Sequence, residues 1–158
     1  MAEPDQRPVV LKLWQYLAPY RIGRWLFTRS VCRRAPYFGS ISPLFHELAP
    51  GLCHVSMKKR RRVQNHIGTV HALAMGNLCE LAAGLLMEAT TPKGMRWIPK
   101  GMQIQYLAKA LTDINATARI EPTPWSEAQD VIVPVSVTDS DGKEVVHANI
   151  TMYVSPTR

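Results

Sequence analysis

Cysteine is sparse in this sequence. Three residues, Cys32, Cys53 and Cys79, stand far apart and without a CxxC pair. Such spacing gives neither a disulfide framework nor a zinc site, so no metal is expected and a reducing, cytoplasmic setting fits. Acidic residues are scarce at the front, where residues 1–62 carry twelve Lys/Arg against three Asp/Glu, while residues 63–158 carry seven against nine. The net charge of +7 is therefore a property of the front of the chain, and it suits an anionic partner such as CoA phosphates, a lipid surface or a nucleic acid. A long uninterrupted apolar run is also lacking. The nearest approach, 63–89, is broken by His66, His71, Glu80 and Glu88, which a bilayer centre would make costly, so no membrane span is expected. The opening Met1-Ala2-Glu3-Pro4-Asp5 is acidic where a secretory leader is basic, which again predicts a cytoplasmic protein. Internal repeats and low-complexity segments are absent.

What is present is enough apolar material, 46% of residues, for one domain to bury a core. Leu11, Trp14, Leu17, Ile22, Leu26 and Val31 recur at roughly helical spacing, with Pro19 interrupting and arginines between them. This predicts two short helices, an N-terminal extension over 1–35 ahead of a main domain over 36–158. Segments 38–47 and 52–60 read as a hairpin turned by Ala49-Pro50-Gly51. Residues 71–88 are rich in Ala, Leu and Met, almost free of β-branched residues and apolar nearly all round, which predicts a buried helix. After Pro92 and Gly94, strands are expected at 95–110 (broken at Pro99-Lys100-Gly101), 115–123, 131–138 and 145–154, the last two joined by Asp139-Ser140-Asp141-Gly142. Strands segregated from one apolar helix predict an α+β fold, an antiparallel sheet covered on one face.

The order β-β-α-β-β-β-β, with Asn65-His66-Ile67-Gly68-Thr69-Val70-His71-Ala72 leading to Asn77-Leu78-Cys79-Glu80, resembles hotdog thioesterases of the phenylacetyl-CoA and hydroxybenzoyl-CoA type. In that group an Asn or Gln precedes the helix, a His-Gly-Gly-like turn opens it, and an Asp or Glu lies about two turns in. Here these positions are Asn65, His71-Ala72 and Glu80. The resemblance spans roughly 36–156, leads to a domain-of-unknown-function branch, and implies a curved sheet wrapping the central helix. It also implies hydrolysis of an acyl-CoA or acyl-carrier thioester at a dimer interface, with no cofactor beyond the substrate's own coenzyme A.

Thioester hydrolysis needs a group that polarises the carbonyl and one that delivers a nucleophile. N–H groups of a helix's first turn have no intrahelical partner, so the Ala72 amide is a candidate oxyanion donor. Ala in place of the usual Gly keeps that donor and adds a methyl group to the substrate's path. Glu80, if buried among apolar neighbours, should have a raised pKa, which suits a general base or a nucleophile. Asn65 would orient the carbonyl or the water, and His71 either contacts the thioester or caps the helix. Gly68 and the small Ala82-Ala83-Gly84 patch would leave room for substrate. Arg60, Arg61 and Arg62, within the run Lys58-Lys59-Arg60-Arg61-Arg62, are candidates for the CoA phosphates, and Arg96 and Lys100 compete for that role. Eight residues of helix separate Ala72 from Glu80 by roughly 12 Å, so one helix cannot aim both at one carbonyl. A homodimer, or a dimer of dimers, is therefore part of the expectation.

Each signal also has a plainer reading: turn chemistry for Asn65, a structural acid at a dimer seam for Glu80, solvated surface for the cationic run. Two other functions compete, a non-catalytic acyl-CoA or lipid-binding protein and nucleic-acid binding through the basic front. The second lacks interleaved aromatic and basic residues, and no nucleic acid is expected. The N-terminal helices are also suited to rest on an anionic membrane.

Overall fold

Pro19 divides the front of the chain into α1 (Val9–Leu17) and α2 (Arg21–Arg34) in the computed structural model, which describes residues 8–157. Gly23 lets the two helices meet, since a Cβ there would collide with the Leu17 carbonyl oxygen. Trp14 meets Phe27 edge-on at 5.0 Å, and Phe27 meets Phe45 at 5.4 Å. The extension thus shares one core with the strands.

The first strand is shorter than expected. Pro36 opens a 3-10 segment, Pro36–Ile41, and β1 (Pro43–Ala49) begins only after Ser42 takes a positive φ of 47°. β2 (Leu52–Met57) likewise stops before the cationic run, because its partners on both sides, Pro43 and Ile114, run out at Met57. The run therefore lies outside the sheet, and its last two residues open the 3-10 turn Arg61–Val63. The apolar segment forms α3 (Ala72–Thr90), followed by β3 (Met95–Tyr106), β4 (Ile114–Arg119), β5 (Gln129–Asp139) and β6 (Glu144–Pro156). The expected break in β3 is a bulge between Pro99 and Gly101. β4 ends before 123 because its partner β2 begins at Leu52, whereas β3 ends before 110 in a turn in which the N–H groups of Leu107 and Ala108 both donate to the Val145 carbonyl.

The six strands form one antiparallel sheet in the order β1-β2-β4-β5-β6-β3. Every strand contacts α3, so the sheet curves around the helix. Leu78, Leu81, Leu86 and Met87 of α3 are wholly buried against strand residues such as Val55, Val135 and Met152. By length and composition α3 would pass for a membrane span, but most of it lies inside this wrapping. β1 is tied to α2, where the Phe45 N–H donates to Thr28 Oγ1 at 3.2 Å. At the other end of the sheet, β3 is an edge strand with exposed Ile98, Met102 and Tyr106.

Candidate active site

The loop before α3 is built around Asn65. Its Oδ1 accepts from the N–H groups of Ile67 and Thr69, both at 3.1 Å, and its Nδ2 donates to Thr69 Oγ1 at 2.8 Å. Gly68 turns the loop with a φ of +77°. Asn65 thus does the turn chemistry, and of its two amide hydrogens one remains uncommitted.

His71 is the N-cap of α3, and its Nδ1 accepts from the Leu73 N–H at 3.1 Å. The His71 carbonyl takes the N–H groups of Ala74 and Met75. Ala72 follows as the first helical residue, and among the described residues its N–H has no acceptor. A free donor at the positive end of a 19-residue helix is suited to a developing oxyanion. Asn65, Gly68, His71 and Ala72 are therefore gathered at one helix start.

Glu80 lies two turns further along. It is half-buried rather than enclosed as the sequence suggested, and has no hydrogen-bond or ion-pair partner among the described residues. The reason is that the wrapping leaves a narrow face of α3, at Leu73 and Glu80, incompletely covered. Leu73, seven residues earlier on that face, is 72% exposed. Glycines flank Glu80 one turn either way, and β3 side chains fill the space they leave: a Cβ on Gly76 would lie 3.6 Å from Met102 Cε, and one on Gly84 would lie 3.3 Å from the Trp97 ring. Gly84 therefore seats Trp97, which also donates to Glu88 at 3.1 Å. Cys79, beside Glu80 in sequence, is no competing nucleophile, because burial pushes its thiol up to about 12.

Two residues without an assigned role emerge here. Tyr106 Oη donates to the Ala72 carbonyl at 3.3 Å, and burial, then Cys79, raises its pKa, keeping it a donor. Asn77 is buried one turn before Glu80, its Nδ2 donating to Ser40 Oγ at 3.4 Å while Oδ1 has no partner. Asn77 was visible as a polar residue in an apolar helix, but Tyr106 carried no sequence signal, because only the β3 register brings it to the helix start.

The basic candidates are dispersed. Arg60 donates to the Ile41 carbonyl at 3.0 Å and faces α2, whereas Arg61 and Arg62 are exposed on the 3-10 turn. On β3, Arg96 donates to Ser155 Oγ at 3.2 Å and Lys100 pairs with Asp130 at 2.6 Å. The pairing with Asp130 offsets the Lys100 charge. No cluster of potential metal ligands occurs among the described residues.

A curved antiparallel sheet wrapped around one central helix defines a hotdog fold. The same fold is found in PA5026 of Pseudomonas aeruginosa, named a probable thioesterase, with 18% identity, coverage of 97% of this chain and 100% of that one, and a TM-score of 0.77. It is found also in a thioesterase variant of Staphylococcus aureus, with 16% identity, coverage of 76% and 98%, and a TM-score of 0.67. A structural-genomics protein, APC5556, is more similar in sequence, with 44% identity, coverage of 94% and 98%, and a TM-score of 0.83. The chain belongs to the family described as "Domain of unknown function (DUF4442)", whose model matches residues 23–154. No curated protein matches it.

Proposed function

We propose that this protein hydrolyses an acyl thioester, carried by CoA or a carrier protein, at two equivalent sites of a cytoplasmic homodimer. The observation that carries the reading is the separation of two uncommitted groups on one helix, the Ala72 N–H and the Glu80 carboxylate. Two copies of the open α3 face, packed together, bring the Glu80 of one protomer towards the Ala72 amide of the other. Glu80 takes a proton from water, whose oxygen attacks the thioester carbon, and the Ala72 N–H receives the developing oxyanion. The remaining Asn65 amide hydrogen orients the carbonyl. As the tetrahedral centre collapses, the carbon–sulfur bond breaks and the leaving thiolate takes up the proton held by Glu80, which restores the carboxylate. The Ala82-Ala83-Gly84 patch offers no acyl space, because Ala82 and Ala83 are wholly buried and Gly84 seats Trp97; Arg61, Arg62 and Arg96 are the exposed or weakly committed cations for a phosphorylated carrier arm.

Support comes from the Staphylococcus aureus thioesterase, solved with either a glutamine or a glutamate replaced by alanine at positions fifteen residues apart, the separation of Asn65 and Glu80 here. The test is a panel of short, aromatic and long acyl-CoAs with release of free thiol as readout. Glu80→Gln is expected to lower kcat by about 10²–10⁴-fold on the preferred substrate. Equal turnover by the variant and the wild type on every substrate would sink the hydrolytic reading. The Ala72 methyl group favours a second reading, an acyl-CoA or lipid-binding protein without hydrolysis, which stoichiometric ligand retention without turnover would reveal.

A further inference from the structure

The front of the molecule carries a surface that the proposed chemistry does not use. From residue 8 to residue 46 there are six Lys/Arg and no Asp or Glu. The outer side of the two helices is apolar as well as basic: Tyr16 is 77% exposed, Tyr20 64%, Ile22 69%, Trp25 51% and Leu26 44%. On α2 these positions recur at the spacing of one helical face, which continues into exposed Arg29 and Arg33. Trp25, Arg29 and Arg33 line a cleft of about 870 Å³ that Arg60 closes from the far side. The Arg29 guanidinium lies 5.2 Å from the Trp25 ring centroid. Among the described residues no carboxylate lines this cleft, and neither Arg29 nor Arg33 has an ion-pair partner. Three arginines held round one space without a counter-charge repel one another until an anion enters.

We propose that α1 and α2 dock this protein peripherally on an anionic lipid surface, with Tyr16, Tyr20, Ile22, Trp25 and Leu26 in the headgroup region and a lipid phosphate in the cleft of Arg29, Arg33 and Arg60. The pairing of large aromatic and aliphatic side chains with cations on one helical face suits that boundary. A second copy of this chain is the poorer occupant, because a two-fold contact would set one arginine cluster against another with no acid between them. A nucleic acid is poorer too, since Ile22 and Leu26 offer no stacking surface and would remain exposed. The proposal does not depend on hydrolysis; it concerns where the molecule works.

The experiment is cosedimentation of the full chain with vesicles of phosphatidylcholine alone and of phosphatidylcholine mixed with phosphatidylglycerol. Binding is expected only to the anionic vesicles and should weaken steeply as salt rises. Arg29→Gln with Arg33→Gln should reduce partitioning roughly thirty-fold. Both residues are exposed, and an unchanged circular dichroism spectrum would show that the variant folds. Because Trp14 and Trp125 are buried, and Trp97 packs on α3 at Gly84 at the far edge of the sheet from β1, a blue shift of tryptophan emission on binding should arise chiefly at Trp25 and fade in Trp25→Phe. The proposal is overturned by absence of vesicle binding, by equal binding to neutral vesicles, or by an unchanged affinity in the double variant. Salt-sensitive capture of an oligonucleotide, or self-association abolished by the double variant, overturns it in favour of the other occupants when vesicles are not bound.

Discussion

Ala72 occupies the first helical position after a cap whose ψ of 138° is already the backbone conformation that proline demands of the residue before it. Proline is tolerated there, because the N–H it removes has no intrahelical partner. Ala72→Pro should therefore keep the fold, judged by thermal midpoint, and lose about 10²–10³-fold in kcat. A variant that melts with the wild type and turns over as fast would remove the amide from the mechanism. A different pH effect belongs to His46, whose pKa is lowered by burial, then by His54 and Arg24. The folded chain binds this proton less tightly than the unfolded one, so its stabilising contribution is complete above the ordinary value of 6.5 and is lost as pH falls through it. The thermal midpoint should drop below that pH, and less so in His46→Gln. At this scale the sequence located the neighbourhood, because polar residues in an apolar helix and a turn before it are local signals. It did not reveal that Asn65 spends most of its hydrogen bonds on its own loop, nor that Tyr106 arrives from β3, since both depend on backbone geometry.

The elements were legible where periodicity is long and ended by strong breakers. Pro19, the near absence of β-branched residues in α3 and the Asp139-Ser140-Asp141-Gly142 turn are each local signals with a physical cause. Strand ends at Met57 and Arg119 did not, because they are set by where a neighbouring strand stops offering hydrogen bonds. The sequence places 38–41 in the first extended segment, yet these residues belong to the 3-10 turn Pro36–Ile41, from which Ile41 reaches the core. Gly23 gives the clearest test of how the helices are joined to the rest. Its Cβ would strike backbone rather than a movable side chain, so Gly23→Ala should displace α1 and cost about 1–3 kcal/mol in urea unfolding. The disturbance should reach the fluorescence of Trp14, which packs against Phe27.

For the molecule as a whole, the reading of two half-sites makes a prediction that a site within one chain does not. Glu80→Gln and Ala72→Pro are each expected to be inactive alone. A dimer with one chain of each type would keep an intact amide on the first and an intact carboxylate on the second, so one of its two sites should work. Random mixing after dissociation should restore about a quarter of wild-type activity. No recovery, despite formation of the mixed dimer by mass spectrometry, would place both groups in the same chain's site or in none. Hotdog architecture was legible from element order, but the open face of α3 was not, because the apolar pattern marks residues for burial without saying which chain covers them.

That open face also bears on how activity would begin in a cell. On this reading a solitary, newly made chain is inert towards every thioester it meets, and competence arrives only with the encounter of two copies. The onset is then second order in the amount of protein, so synthesis rate, and not only substrate supply, becomes a control on hydrolysis.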